Sequence, residues 1–315
     1  MTGERGFALL AVMLVLALLG VVVTEFAYSM RLEATMVRSY KEDLIGLHLA
    51  EAAVEQAIRE ILTDASLVGF AEEEPLLTFF TGPTEPLPRM PRSDVRLGPG
   101  QFAYRITDEE GRLNLNMARP DQIDQLLRDL GLDKELRDIV NDSLQDWKDS
   151  NDAYRLNGAE SEDTYLELPV PYRARNGPLE AVAELLQIKG VTAALYSGST
   201  DEPGLAEFVT VWGQGQVNIN TAPEPVLKAL GLSEAEVSDI VQSRQSAPYA
   251  AVPPRFAGRG LSAASRTFRV EAEGWVGDGA VRVRVVAIVQ PTSEEDADEP
   301  AATILSWNPN PVARP

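Results

Sequence analysis

The most crowded group of side chains able to do chemistry falls between residues 141 and 167, where eight acidic residues face two basic ones, Lys148 and Arg155. Asp149, Asn151 and Asp152 share one short turn, and Glu160, Glu162 and Asp163 return after Gly158. Calcium takes about six to eight oxygen ligands, and acidic loops around a glycine can supply them. The bland reading of the same run is a solvated face. Other chemistry has little to stand on. The chain has no cysteine and one histidine, His48, set on a helical stretch beside Glu51 and Glu55. A thiolate nucleophile, a disulfide and a zinc site are therefore not expected. A carboxylate pair acting on a glycan would need two acids brought together, and no periodicity points to one. Asn114 with Asn116 and Asn218 with Asn220 stand before proline-led helices, where amide side chains cap turns.

The formal charge of −20, with a pI near 4.5, opposes a nucleic-acid surface, because phosphate affinity comes from lysine and arginine. The phrase 188–191 resembles a helix-hairpin-helix turn, but Lys189 is its one cation, so it is read as structural.

Several elements must position these residues. Residues 7–24 carry no charge and are nearly all apolar, and eighteen residues of helix rise about 27 Å, enough to cross a bilayer. A cleaved secretory signal is the competing reading, but the run is long for one and no small-x-small site follows. The helix is expected to continue to about residue 62. Leu32, Met36, Tyr40, Leu44, Leu47, Val54, Ile58 and Ile61 form its predicted apolar stripe. Residues 66–100, rich in proline and glycine, read as a long loop. Residues 101–107 alternate as a strand, with 112–115 as its hairpin partner after a turn at 108–111. Residues 266–275 and 280–290 read as a second hairpin around Gly277-Asp278-Gly279. Helix is expected at 178–186 and 191–196. The segments beginning at Gly111 and Gly215 repeat one phrase: Asn-x-Asn, a proline-led helix, Gly-Leu, then a helix ending in Asp-Ile-Val. Residues 293–299 are an acidic run read as a solvated linker.

A short leader ending in Arg5-Gly6, then Phe7, an apolar helix and an amphipathic continuation together resemble a type IV prepilin or a type II secretion pseudopilin. Ala11 stands at the fifth position after Gly6, where most such proteins carry glutamate. Its absence resembles the K-type minor pseudopilin. The ordered phrases DEEGRLNLN (108–116), LQDWKDSND (144–152), NGAESEDTYL (157–166), VPYRARNGPLEAVAELLQIKG (170–190) and GQVNINTAP (215–223) are similar to the same family.

The resemblance implies an α+β, type IV pilin-like fold, a long N-terminal helix on an antiparallel sheet with a large inserted, mostly helical domain. It divides the chain into a leader (1–6), a transmembrane part (7–24), a periplasmic helix (25–65) and first strands (66–117). An inserted helical domain (118–214), a second helical module (215–262), C-terminal strands (263–291) and an acidic tail (292–315) complete it. It implies a non-enzymatic subunit at the tip of the pseudopilus, cut between Gly6 and Phe7 by the prepilin peptidase and methylated at Phe7. Its anchor would lie in the inner membrane with the bulk in the periplasm. Ala11 would mark its end position. The partners implied are the I- and J-type minor pseudopilins, the major pseudopilin and the assembly platform. It also implies a structural calcium ion at Asp149, Asn151, Asp152, Glu160 and Asp163. The alternatives are a minor pilin of a type IV pilus and a membrane-anchored periplasmic enzyme.

Overall fold

The computed structural model describes residues 3–71, 74–199, 202–277, 281–292 and 301–309. Helix α1 (Gly3–Ile61) runs unbroken for 59 residues, roughly 88 Å. Its first half is apolar and exposed, with a mean hydropathy of 2.6 in the richest window, which is long and apolar enough to cross a membrane. Its last turns lie on a sheet.

The predicted stripe packs only in its later part. Leu32, Met36, Tyr40 and Leu44 are exposed, while Leu47, Val54, Ile58 and Ile61 lie on the sheet together with Leu49, Ala50, Ala53 and Ala57, which the stripe left out. The reason is close approach. A Cβ on Gly274 of the sheet would lie 2.1 Å from the Gly46 carbonyl oxygen and 2.6 Å from the Ala50 nitrogen. Small residues let the two backbones meet, and a pattern weighted towards large side chains misses them.

Strands β1 (Leu67–Ala71), β2 (Glu74–Gly82) and β3 (Glu85–Pro86) form a small antiparallel sheet. The expected loop at 66–100 is thus largely strand. Leu77, Thr78, Phe79 and Phe80 are buried there, and Pro75 at the start of β2 and the prolines after it leave that buried run uninterrupted. Phe79 meets Phe268 edge-on at 5.6 Å, which seats the small sheet on the main one.

The main sheet is built from β4 (Val95–Leu97), β5 (Gly100–Asp108) and three strands from the end of the chain. After β5 a 3-10 turn, Glu109–Gly111, is capped by Asp108, whose carboxylate accepts from the Glu110 amide. The turn carries the chain away from the sheet. Strand β6 (Leu113–Asn114) therefore pairs in parallel with β7 (Val209–Thr210), and the hairpin expected at 101–115 does not form. Between them lie α2 (Pro120–Asp129), α3 (Lys134–Lys148) and α4 (Ala193–Ser197). The helix expected at 178–186 is a 3-10 turn, Val182–Gln187.

The repeat follows the same plan. Strand β8 (Val217–Asn218) pairs in parallel with β9 (Leu261–Ser262), enclosing α5 (Glu224–Ala229) and α6 (Glu234–Ser246). Gly131 and Gly231, at φ of 80° and 81°, end the first helix of each copy in the left-handed region that glycine adopts freely. Helix α2 packs on α5, and both copies share one apolar core that includes Leu126, Leu127, Val226 and Leu227.

The chain then returns to the sheet as β10 (Phe268–Val276), β11 (Arg282–Thr292) and β12 (Ala301–Asn308). The order is β12-β11-β10-β5-β4, antiparallel throughout, with β10 under α1. The β10–β11 hairpin matches expectation, although residues 278–280 of its turn lie outside the described residues, as does the acidic run 293–299. The tail expected at 292–315 contains a strand, since β12 extends the sheet. The helical domain is thus an insertion between β5 and β10.

Candidate functional site

Helix α3 begins at Asp133, whose carboxylate accepts from the Leu136 amide, and delivers Asp146 and Asp149 to its C-terminal end. Asp146 is fully buried. It accepts from the amides of Arg155 (3.0 Å) and Ala159 (3.1 Å) and from the Arg155 guanidinium at 2.5 Å. Arg155 Nη1 also donates to Asp149 Oδ2 at 2.7 Å, so one guanidinium stands between the two carboxylates. Asp149 Oδ1 accepts from the Asn151 side chain at 2.8 Å, and Asp152 Oδ1 accepts from Asn176 Nδ2 at 2.9 Å.

Glu160 enters the same acidic field from the returning loop. It is 1% exposed, and its Oε1 has no hydrogen-bond partner. Burial pushes its carboxyl up, against the Ser161 amide, and the charges of Asp146, Asp149 and Asp152 push it further. Asp163 is exposed on the following turn. Asp149 and Asn151 are therefore in contact, Asp152 is held by Asn176, and Glu160 lies within the charge of Asp146, Asp149 and Asp152. Among the described residues no group of three carboxylate or imidazole side chains is gathered tightly enough to hold a metal ion as it stands. The physical reason is Arg155, which draws the oxygens of Asp146 and Asp149 onto itself. An orphaned buried carboxylate oxygen beside three acids is nonetheless chemistry that a cation satisfies.

Sequence reading missed Asp146 and Arg155. Their signal was the Asp-Trp pair at the end of a helix, since Trp147 is buried beside Tyr165 (5.4 Å, edge-on), with Tyr172 stacked behind at 5.2 Å. Lys189 Nζ donates to the Gly158 carbonyl at 3.1 Å, and Lys148 Nζ to that of Leu115 at 2.7 Å. Burial, then Arg155, pulls the Lys148 amine down to about 8. Gly158 cannot carry a side chain, because a Cβ there would lie 1.8 Å from Asp146 Oδ2. Gly158→Ala is therefore expected to break the loop's closure and cost about 2–3 kcal/mol, the range for forcing a methyl into packed space. Urea unfolding followed by tryptophan fluorescence would measure it, and a loss under about 0.5 kcal/mol would count against this geometry.

The second polar cluster joins the inserted domain to the sheet. Asp108 Oδ2 accepts from Thr221 and Ser265 hydroxyls, both at 2.6 Å, and from Asn218 Nδ2 at 2.9 Å. Glu109, fully buried, binds Arg269 through both oxygens, Arg112 at 3.1 Å and Thr210 at 2.7 Å. Glu110 accepts from the Thr267 hydroxyl at 2.9 Å. The repeated asparagines act alike in both copies. Asn116 holds both backbone groups of Leu179, and Asn220 holds both of Tyr249, in the manner of a strand neighbour. Asn114 and Asn218 cap the turns between.

The remaining candidates occupy plain settings. His48 pairs with Glu51 at 2.7 Å on the exposed face of α1. In the 188–191 phrase the Lys189 amide is taken by the Tyr165 hydroxyl, and Gly190 packs against Val140. Gly6, Phe7 and Ala11 all lie within α1, with Phe7 and Ala11 exposed.

Two models of type II secretion system protein K match residues 107–212 and 217–270, together just over half of the chain. Type II secretion system protein K of Pseudomonas aeruginosa is 28% identical over 261 residues, 77% of this chain and 73% of that protein. Its namesake in Klebsiella pneumoniae is 29% identical over 258 residues, 77% and 74% of the two chains. In Pectobacterium carotovorum the figures are 31% over 173 residues, 49% and 51%. Among solved structures, the GspK-GspI-GspJ complex from the enterotoxigenic Escherichia coli type 2 secretion system matches with a TM-score of 0.61. That match has 18% identity and covers 88% of this chain and 98% of the other. It shows the same fold.

Proposed function

The chain belongs to the type II secretion system protein K family, and from that premise we propose that it caps the tip of the pseudopilus and helps to start its assembly. The observation that carries this reading is the bulk of the helical insertion. It departs from β5 and returns at β10, so a broad body flanks the upper end of α1, where a shaft subunit would need room for the next one. Ala11 supports the same reading, because it offers no carboxylate to the N-terminus of a subunit ahead of it. The exposed apolar length of α1 suits first a lipid bilayer and then the helices of neighbouring subunits.

In this reading the prepilin peptidase cuts after Gly6 and Phe7 becomes the methylated N-terminus. The anchor starts in the inner membrane with the bulk in the periplasm. The partners are the I- and J-type minor pseudopilins below the tip, with the major pseudopilin and the assembly platform beneath. The role is structural, without catalysis.

A calcium ion belongs to the proposal. Asp149, Asn151, Asp152 and Glu160 would hold it, with Asp163 at the rim, and it would neutralise carboxylates that repel one another. Asn151 supplies a carbonyl oxygen without charge. The ion would pin the loop after α3 to the loop carrying Glu160.

The test is co-purification of the full chain with the I- and J-type subunits, in detergent, with and without a chelator. A stable ternary complex is expected, and no complex under either condition would overturn the tip reading. Calcium is expected to stabilise the full chain by about 2.7 kcal/mol at a hundredfold excess over its Kd, read as a rise in its unfolding midpoint. Glu160→Gln should remove most of that gain. An equal calcium shift in both proteins would remove Glu160 from the site.

A further inference from the structure

Strand β5 is covered along only part of one edge. The Glu109 amide donates to the carbonyl of Thr267, just before β10, so by the two-residue period of the ladder Arg105 and Thr107 turn their backbone groups to β10. Tyr104 and Ile106 turn theirs the other way, and the Tyr104 amide donates there to the Arg92 carbonyl. Strand β4 pairs with residues 100–102 and stops, so no strand reaches the Ile106 amide and carbonyl. Beside Ile106 lies a cleft of about 340 Å³, and every residue lining it is described. Phe70 and Leu77 come to it from the small sheet, and Phe208 and Pro223 from the inserted domain. Apolar walls with a few placed polar groups are the usual build of a binding cleft.

Most of the charge lining the cleft is already used. Asp108 takes four donors, Arg112 binds Glu109 at 3.1 Å, and Glu207 has a partner of its own. Arg105 differs. It is exposed and, among the described residues, forms no ion pair or hydrogen bond through its side chain, even with Glu271 opposite it on β10. The Thr107 hydroxyl, on another lining residue, is shut from solvent and has no partner. We propose that this cleft binds a short extended segment of another protein, in which an aliphatic and a carboxylate side chain are neighbours. The segment's backbone would pair with Ile106, and its aliphatic side chain would fill the space beside Phe70, Leu77 and Phe208. Its carboxylate, sent to the opposite face by the alternation of a strand, would meet Arg105.

Each part of that occupant answers one observation. The extended backbone answers Ile106, because an apolar molecule without amides would leave its donor and acceptor unpaired. The carboxylate answers Arg105. The chain's charge of −20 does not oppose it, since charges farther than about 8 Å are largely screened at physiological salt while a contact pair is not. The same −20 does act between two whole copies brought face to face, which disfavours a second copy as the occupant. A segment seated here would touch the small sheet, the main sheet and the inserted domain at once, and so hold the three together.

The test uses the full chain in detergent and three short peptides with blocked ends. One alternates valine and glutamate, one alternates valine and lysine, and the third is the glutamate peptide with its backbone nitrogens methylated. Amide exchange at residues 104–108 is expected to slow on adding the first peptide, which should bind about tenfold tighter than either of the others. Arg105→Gln should erase the preference for glutamate over lysine, and Arg105→Lys, which keeps the charge, should retain it. Unchanged exchange in β10 and α2 would show that both variants are folded, as expected for an exposed, unpaired side chain. No binding of any peptide, equal binding of all three, protection elsewhere than 104–108, or an unchanged preference in Arg105→Gln would each overturn the proposal. None of these results depends on the tip assignment, which co-purification tests separately.

Discussion

Glu109→Gln is expected to lower the stability of the chain by about 3–5 kcal/mol, the usual effect of removing one partner from a buried ion pair. Both oxygens of Glu109 are used, by Arg269 of β10, by Arg112 before β6 and by Thr210 of β7. The neutral amide leaves Arg269, whose side chain is only 19% exposed, without its counter-charge. The inserted domain and the sheet meet at this carboxylate, so both should loosen together. Burial alone would push Glu109 up, but the Arg112 charge and the Arg269 contacts outweigh it and hold its carboxyl below the ordinary glutamate value.

A lowered folded-state pKa means that the unfolded chain binds the proton more readily. The stabilisation is then present above the ordinary glutamate value and is lost as pH falls through the folded value. Asp108 has the opposite sign. Burial raises it against its four donors, so its own contribution is largest in acid and is lost as pH rises through its folded value. Urea midpoints of the full chain in detergent between pH 3 and 7 would separate the two, the range being about that of carboxylate titration. The glutamine variant should lose the part of the acid sensitivity that Glu109 carries. A variant matching the parent within about 0.5 kcal/mol at pH 7 would show that the junction does not depend on this charge.

Gly274→Ala is expected to cost about 3 kcal/mol, at the upper end for adding a methyl to a packed interior. Two of the three atoms that the new Cβ meets are backbone, the Gly46 oxygen and the Ala50 nitrogen, and backbone cannot rotate aside. Helix α1 would have to lift from β10, exposing Ala50, Ala53 and Ala57. Gly46→Ala is the informative control. Its nearest neighbour is a methyl of Val283 at 2.9 Å, which can shift, so the loss should be smaller. Amide exchange in residues 46–61 should quicken in the first variant more than in the second. The reverse order would mean that α1 is not held by this crossing.

Features that arise from neighbours in the chain are legible in the order of residues. The apolar run of α1, the β10–β11 hairpin and the left-handed glycines of both repeats each follow from spacing over a few residues. The acidic loop is legible as a place in the sequence, and of its named members Asp149 and Asn151 are in contact. The residue that holds two of its carboxylates is not, because Arg155 acts through a guanidinium that spans Asp146 and Asp149, and nothing in its neighbours in sequence marks that reach. The strand at 74–82 is hidden by Pro75 at its start and by the prolines that follow it. Strand β12 is hidden by the acidic run preceding it, since composition is a property of segments and pairing is not.

By itself, the sequence determined the long apolar helix, the duplicated helical phrase and the concentration of carboxylates between 141 and 167. These are matters of hydropathy, of residue order and of charge, which need no distant partner. Tertiary structure alone decided where along α1 its stripe is buried and that small residues share that face, that 113–114 pairs with 209–210 and not with the strand preceding it, and that β12 forms one edge of the sheet among the described residues. Each of those depends on atoms far apart in the chain meeting within a few ångströms. There, a missing Cβ on Gly274 or the two oxygens of Glu109 outweigh the larger and more visible side chains around them.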